Sequence, residues 1–325
     1  MASVFDGFEV EERYRPDASA YAFDLERVLS SVVVLEAHIP EDAYSAQTLG
    51  AERAGNAIVI GADGLLLTIG YLITEADDVV LTTNDGRRIP AHPLGTDQAT
   101  GFGLVYALEP LGLPALPLGD SRKLRDGARL ISVGGGGRAH ALASRLVARE
   151  AFAGYWEYHL DEALFVAPGH PHWQGAALIG AAGEVVGVGS LGMEQLDRDG
   201  AAKPINMFVP AELLPPILDG LAKGGQSTPP RPWLGALWAE VQGHIVVAGV
   251  TPGGPSSRAE LRRGDIIHRI GGHPVDDLSD FYKRLWALGP PGVLVPLTVQ
   301  REDDVFDMEI RSGDRLSRQR KRTMN

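Results

Sequence analysis

Residues 56–68 read Asn-Ala-Ile-Val-Ile-Gly-Ala-Asp-Gly-Leu-Leu-Leu-Thr. Asn56 to Ile60 is an apolar run of strand length, Ala62-Asp63-Gly64 has the composition of a turn, and Leu65 to Thr68 resumes the run. Asp and Gly tolerate the backbone angles of tight turns, so the stretch predicts a strand, a reversal and a second strand. The pattern repeats outward. Val79 to Thr83 and Arg88 to His92 flank Asn84-Asp85-Gly86, a hairpin signal. Gly103–Leu108, Arg129–Val133, Arg145–Ala148 and Glu184–Val188 continue the series. Helical patterns are short: Asp24 to about Val34, which turns into strand, and Pro210 to Leu221. Short strands at this spacing predict an antiparallel barrel or sandwich.

Composition agrees. The chain has 325 residues, 44% hydrophobic and 22% charged, which excludes a mostly disordered chain and suggests two domains. Its 40 glycines and 22 prolines suit many strands joined by turns. There is no cysteine, so disulfides, thiolate catalysis and Cys-ligated zinc are excluded. The net charge of −12 argues against nucleic acid as a partner, because an acidic chain repels phosphate backbones. No stretch approaches the ~20 apolar residues of a membrane span. The acidic, polar start MASVFDGFEVEERYRPDASA lacks the basic and apolar segments of a secretory signal, so a cytoplasmic location is expected.

Residues 223–231 are rich in Gly, Ser and Pro and are read as a linker. They divide the chain into an N-terminal segment (1–24), a first domain (25–222), a smaller domain (232–312) and a tail (313–325). Tyr14, Tyr21 and Phe23 in the first segment are candidate anchors for oligomerisation. The tail carries a basic run from Arg315 to Arg322 and is read as solvated. In the smaller domain, strands are expected near Gly235–Ala239, His244–Val250, Asp265–Ile270, Val295–Gln300 and Val305–Ile310. Asp280–Leu288 is expected to be helical.

Several strings in this order resemble the HtrA/DegP family, trypsin-like serine proteases followed by one or two PDZ domains. They are Gly64-Leu65-Leu66-Leu67-Thr68, Asn84-Asp85-Gly86-Arg87, Gly95-Thr96-Asp97, Leu116-Pro117-Leu118-Gly119-Asp120-Ser121, and Pro168-Gly169 followed by Gly183-Glu184-Val185-Val186-Gly187. Pro232-Trp233-Leu234-Gly235, Val250-Thr251-Pro252-Gly253-Gly254-Pro255-Ser256, and Leu261-Arg262-Arg263-Gly264-Asp265-Ile266-Ile267 with Ile270-Gly271-Gly272 resemble a PDZ domain. The resemblance implies a mainly β chain, a chymotrypsin-like double β-barrel followed by one PDZ domain.

It also implies where a Ser-His-Asp triad should lie, and the residues there are different. The position matching the family's histidine, three after Thr68, is Tyr71; that matching its aspartate, four after Asp97, is Gly101; that matching its serine, nine before Gly183, is Gln174. Tyr, with a pKa of about 10, is a poor base, Gly has no side chain, and an amide is not a nucleophile. The loop Ala167–Gly175 is about three residues longer than the family's, and its Pro and Trp are expected to spoil the oxyanion hole. Neighbouring residues do not restore the triad: there is no His between His38 and His92, no Asp between Asp97 and Asp120, and no Ser between Ser144 and Ser190.

The alternatives are a dyad rebuilt on Ser132, Ser144 or Ser190, and a metal held by His170 and His172 with Asp161 or Glu162. The glycines at 134–137 are read as a structural turn; no cofactor or metal is expected. The remaining chemistry is binding. A PDZ domain takes a peptide C-terminus as an added strand, with the carboxylate on backbone N–H groups. Trp233, Leu234, Gly235, Ala236 and Leu237 match that loop and edge strand. Leu234, Ala236, Phe281 and Leu285 match the apolar pocket. The resulting expectation is an inactive HtrA-like protein of protein quality control. It would bind peptide or protein C-termini as a scaffold, chaperone-like or regulatory protein and assemble as a homotrimer. Its rivals are an active serine peptidase with relocated residues and an inactive subunit paired with an active paralogue.

Overall fold

A computed structural model describes residues 7–196, 199–224 and 228–320. The chain divides into two compact units, one of residues 1–150 and 162–227, the other of residues 151–161 and 228–325.

The first unit holds two closed barrels, apart from the ends of β8 and β9 that fall within residues 151–161. In the first barrel, α1 (Leu25–Ser30) leads into β1 (Val32–His38), α2 (Ala46–Leu49), β2 (Glu52–Val59), β3 (Leu65–Ile69), α3 (Gly70–Ile73), β4 (Asp78–Thr82), β5 (Arg88–Thr96) and β6 (Phe102–Ala107). The strands close in the order β1-β2-β3-β6-β5-β4. α1 starts at Asp24, whose carboxylate accepts the Arg27 amide at 3.1 Å and satisfies one of the helix's free donors. The β4–β5 turn uses Gly86 at φ +84°, and Asn84 beside it spans further, accepting the Gly136 amide at 2.7 Å. The second barrel comprises β7 (Arg129–Val133), β8 (Ala141–Gly154), β9 (Tyr158–Ala167), β10 (Ala177–Ile179), β11 (Val185–Leu196) and β12 (Ala202–Pro210), closed as β10-β11-β12-β9-β8-β7. Its core includes Leu130, Leu146, Leu164, Leu178 and Phe208.

Two features differ from the sequence expectation. The helix expected from Pro210 to Leu221 is a 3-10 turn followed by α4 (Leu218–Ala222). Pro215 and Pro216 lie between them, and proline removes a helical N–H while disfavouring helix in the residue before it. Strands β9, β10 and β12 and most of β8 go beyond the expected series; the β8–β9 hairpin was missed because its reversal at Tyr155-Trp156-Glu157 contains no Gly, Pro, Asn or Asp.

The second unit is a sheet of β13 (Ala236–Val241), β14 (His244–Val250), β15 (Ile266–Ile270), β17 (Leu294–Arg301) and β18 (Asp304–Arg311) in that order, with β16 (His273–Pro274) beside β15. Short α5 (Pro255–Arg258) and the longer α6 (Leu278–Ala287) complete it. Asp277 caps α6 by accepting the Asp280 amide at 2.7 Å, and Phe281, Tyr282 and Leu285 turn one face into a core with Trp238, Val247 and Val299. The residues expected as a solvated tail do not behave as one up to residue 320. Gly313 pairs with Trp233, and Arg318 donates to the carbonyls of Gly253 and Pro252 at 3.0 Å each. The guanidinium supplies donors to loop carbonyls that the sheet leaves free. The first six residues, 225–227 of the linker and the last five residues of the tail lie outside the described residues.

Arg301 of β17 donates two hydrogen bonds to the buried Asp265 carboxylate, at 2.7 Å each, and the Arg262 amide donates a third at 2.8 Å. Burial pushes the Asp265 carboxyl up, but these donors more than offset it and its pKa lies below the ordinary value. Removing one member of such a pair leaves the other without its partner. Asp265→Ala is therefore expected to lower the stability of this unit by about 2–3 kcal/mol. Denaturant unfolding checks it, and a loss below about 0.5 kcal/mol, the size of an ordinary surface change, would refute the assignment.

Candidate functional sites at the barrel junction and the groove

The three positions matched to the triad come together where the two barrels of the first unit meet. Tyr71 lies on α3, directly after β3, and its hydroxyl donates to the Ser190 carbonyl of β11 at 3.1 Å. Burial pushes its pKa well above the usual phenol value, so it remains a protonated donor. Arg53 holds the C-terminal end of α3 by donating to the carbonyls of Tyr71 and Thr74 at 2.6 and 3.1 Å. Burial lowers the Arg53 pKa to about 10, which still leaves it charged at neutral pH. Gly101, at φ +82°, offers its carbonyl to the Gly70 amide at 2.6 Å. Asp97 is turned away from chemistry, accepting the Thr100 amide and hydroxyl at 2.8 and 2.9 Å.

Gln174 reaches the same junction through its backbone. Its carbonyl accepts both the Asn56 amide at 2.8 Å and the Asn56 side-chain amide at 2.9 Å, while its own side-chain oxygen is buried without a hydrogen-bond partner. Three amides of the surrounding loop are already used: His172 N donates to His170 Nδ1, Gly175 N to Gly189 O, and Ala176 N to Trp173 O. Trp173 covers the adjoining strand, and a Cβ on Gly192 would collide with its indole. Ser132 and Ser144 hydrogen-bond each other at 3.1 Å.

His170 and His172 join a partner that sequence spacing did not reveal. Their rings lie 5.9 Å apart, His140 stacks 6.1 Å from His172, and Phe8 packs edge-on against all three. Among the described residues no group of His, Asp and Glu is arranged to hold a metal ion, and Asp161 belongs to the second unit. His170 accepts the His172 amide at Nδ1 and faces the His140 carbonyl with Nε2 at 3.1 Å, which fixes a neutral ring protonated on Nε2. Burial and the neighbouring histidines lower both His170 and His172 to about 4. Phe8 is the N-terminal aromatic that the cluster uses. Tyr21 and Phe23 pack together at 5.2 Å, and Tyr14 remains exposed.

In the second unit, the loop and strand expected to take a peptide are contacted by a turn of the chain itself. The turn Tyr155-Trp156-Glu157 lies along β13: the Tyr155 carbonyl accepts the Trp238 amide at 2.9 Å. Glu157 places its carboxylate in the loop before β13, accepting the amides of Leu234 at 3.0 Å, Gly235 at 2.7 Å and Ala236 at 3.2 Å. Burial pushes this carboxyl up to about 7, although the three amides and Arg315 act in the opposite direction. On the α6 side, the Tyr282 hydroxyl donates to Gly154 O at 2.6 Å and meets the Glu157 amide at 3.2 Å. His159 Nε2 lies 2.6 Å from the Ser279 hydroxyl. Leu234, Ala236, Phe281 and Leu285 are buried in the core beneath, Leu237 is partly exposed on β13, and Trp233 stands next to Gly235.

Comparison with known proteins identifies the two domains. The trypsin-like peptidase domain model matches residues 55–188 and the PDZ domain model matches residues 232–311. These define a trypsin-like double-barrel domain followed by a PDZ domain. The chain belongs to the HtrA family. It is 26% identical over 280 residues to a "Probable periplasmic serine endoprotease DegP-like" of Halomonas elongata, covering 80% of this chain and 56% of the relative. It is 31% identical over 251 residues to the "Putative serine protease HhoA" of Synechocystis, covering 69% of this chain and 61% of the relative. The chain thus spans a little over half the length of these curated relatives. The solved structure of the HtrA-type protease AlgW with tripeptide superposes with a TM-score of 0.54 at 22% identity, covering 92% of this chain and 98% of that one. The serine endoprotease from Yersinia pestis gives 0.54 at 19%, covering 89% and 96%. The expected cytoplasmic location is overturned: relatives in Halomonas elongata and Pseudomonas fluorescens are named periplasmic serine endoproteases. Among the described residues no helix is long and apolar enough to cross a membrane.

The histidine cluster has a defined pH consequence. A histidine with a pKa near 6.5 when unfolded and about 4 when folded takes up its proton preferentially in the unfolded state. Its contribution to stability is intact above pH 6.5 and is lost progressively as the pH falls towards 4. Thermal melting at pH 7.5 and pH 5 should therefore differ, with His170 accounting for about 2 kcal/mol. His170→Gln keeps an acceptor and a donor without a titrating ring, and should reduce the difference; an unchanged difference would exclude His170.

Proposed function

We propose that this HtrA-family chain is a pseudoprotease that captures peptide or protein C-termini through its PDZ domain, serving as a scaffold, chaperone-like or regulatory subunit of protein quality control. The observation that carries the proposal is the pairing of two features. The residues matched to the triad are Tyr71, Gly101 and Gln174, and the loop at Leu234, Gly235 and Ala236 presents three amides converging on one carboxylate. Inactivity is supported by the chemistry of the first set. A buried phenol above its usual pKa takes no proton from a nucleophile, Gly101 has no side chain to orient a base, and the loop amides of His172, Gly175 and Ala176 already have acceptors. Binding is supported by the amide loop, by the position of β13 at the edge of its sheet, and by the likeness to AlgW, a protease solved with a tripeptide. Assembly as a homotrimer through the N-terminal segment belongs to the same proposal, with Tyr14 its exposed aromatic.

One observation favours relocated hydrolytic chemistry, the 2.6 Å contact between His159 and Ser279. It is the weaker reading. His159 is 6% exposed, and Asp161 lies 3.8 Å from its Nδ1 with a side chain 87% exposed, too far and too wet to orient the ring.

Incubation with unfolded casein and with a fluorophosphonate probe tests both readings. Neither cleavage nor labelling is expected. Labelling that maps to this chain and disappears in Ser279→Ala would establish the second reading and overturn the first. The binding arm is tested at Gly235, which has φ +72° and whose added Cβ would meet the Trp233 ring at 2.9 Å. Gly235→Val should abolish capture of C-terminal peptides while the barrels retain their melting transition. Unchanged capture would refute the groove assignment.

A further inference from the structure

We infer that the PDZ groove is locked in cis. The turn Tyr155-Trp156-Glu157 is a built-in stand-in for a peptide C-terminus, and a partner with a free terminal carboxylate binds by displacing it. This rests on the peptide-binding reading above and adds how that site is controlled.

Four observations converge. The Glu157 carboxylate accepts the three loop amides that a terminal carboxylate would accept, at 2.7–3.2 Å. Tyr155 contributes the backbone contact to β13 that a bound peptide's first ladder bond would make. The opposite wall is engaged as well, since Tyr282 of α6 bonds Gly154 and Glu157 while Ala153 packs on the apolar core. Finally, the turn is strained to achieve this. Glu157 has φ +59°, in the left-handed region where a three-residue hairpin ordinarily places glycine. A non-glycine residue there costs energy that its hydrogen bonds must offset.

The lock is made to open. Its contacts are mainly hydrogen bonds from a few side chains and loop amides, and a peptide carboxylate offers the same bonds without the strained turn. Arg315 donates to the Trp156 carbonyl at 3.1 Å and His159 meets Ser279, which hold the turn from either end. The partner this predicts is an unstructured chain end, since an internal segment has no carboxylate to replace Glu157.

The experiment uses the full chain and its variants Glu157→Gln and Glu157→Gly. Glycine suits φ +59° and removes the carboxylate; glutamine keeps the shape and removes the charge. The probe is a fluorescein-labelled pool of decapeptides ending in Ala, Val, Leu or Phe, with the same pool amidated at its C-terminus as control. Fluorescence anisotropy should give binding to Glu157→Gly at least about tenfold tighter than to the native chain, as expected when a site is mostly closed, with Glu157→Gln between them and the amidated pool silent. Equal affinity for all three chains overturns the lock and leaves peptide binding standing. Binding by none of them overturns both. Hydrogen exchange gives an independent readout: the amides of Leu234, Gly235 and Ala236 should exchange slowly in the native chain and at least about tenfold faster in Glu157→Gly. Equally slow exchange in both overturns the lock.

Discussion

Asn56 ties the first unit together. Its amide side chain is fully buried and fully engaged, donating to His172 O and Gln174 O while accepting the Gly135 amide. A buried amide left unpaired costs as much as the bond it lacks, so these partners must stay in register. The Asn56 carbonyl meanwhile takes the Thr68 hydroxyl at 2.7 Å, which joins β2 to the strand leading into α3. One residue thus positions Tyr71, the 172–174 loop and the glycine turn. Gly175 follows because nothing larger fits: a Cβ there would collide with the Asn56 carbonyl, and its φ is +69°.

The two candidate sites have opposite logic. At the barrel junction, hydrogen bonds that could serve a reaction are spent on structure. The Tyr71 hydroxyl holds Ser190, the amides of His172, Gly175 and Ala176 donate to His170 Nδ1, Gly189 O and Trp173 O, and the Trp173 indole lies on Gly192. At the groove, backbone donors are kept together on one face of a loop and given a carboxylate. Buried charge is tolerated in proteins when it is matched by donors, and Glu157 has three.

Much of this was legible in the sequence, for reasons specific to particular residues. Glycine and proline strings located the strands of the second unit, because each marks a backbone angle that other residues resist. Tyr71, Gly101 and Gln174 were reached by counting from such strings. Leu234, Ala236, Phe281 and Leu285 were singled out in the same way and lie together in the core of the second unit. The turn that packs beside them was not foreseen. Glu157 lies 77 residues before Leu234 in the chain, and a turn of Tyr, Trp and Glu carries no hairpin signal. Phe8 was missed similarly, since nothing in its neighbours announces a contact with histidines at 140, 170 and 172. A polar residue inside an aromatic run between two apolar strands was the one available hint of the Tyr155–Glu157 turn.

The covalent origin of Glu157 has a quantitative consequence. A ligand on the same chain is never diluted, and a tether that spans the distance to its site presents it at a fixed effective concentration. A dissolved chain end competes against that fixed concentration whatever its own abundance. Weak, common termini would therefore leave the groove shut, and occupancy would rise only for termini that bind well or arrive already concentrated on a larger partner. Placing a carboxylate on a hairpin tip would in this way set a threshold, turning a permissive carboxylate pocket into a selective one without changing a residue of the pocket.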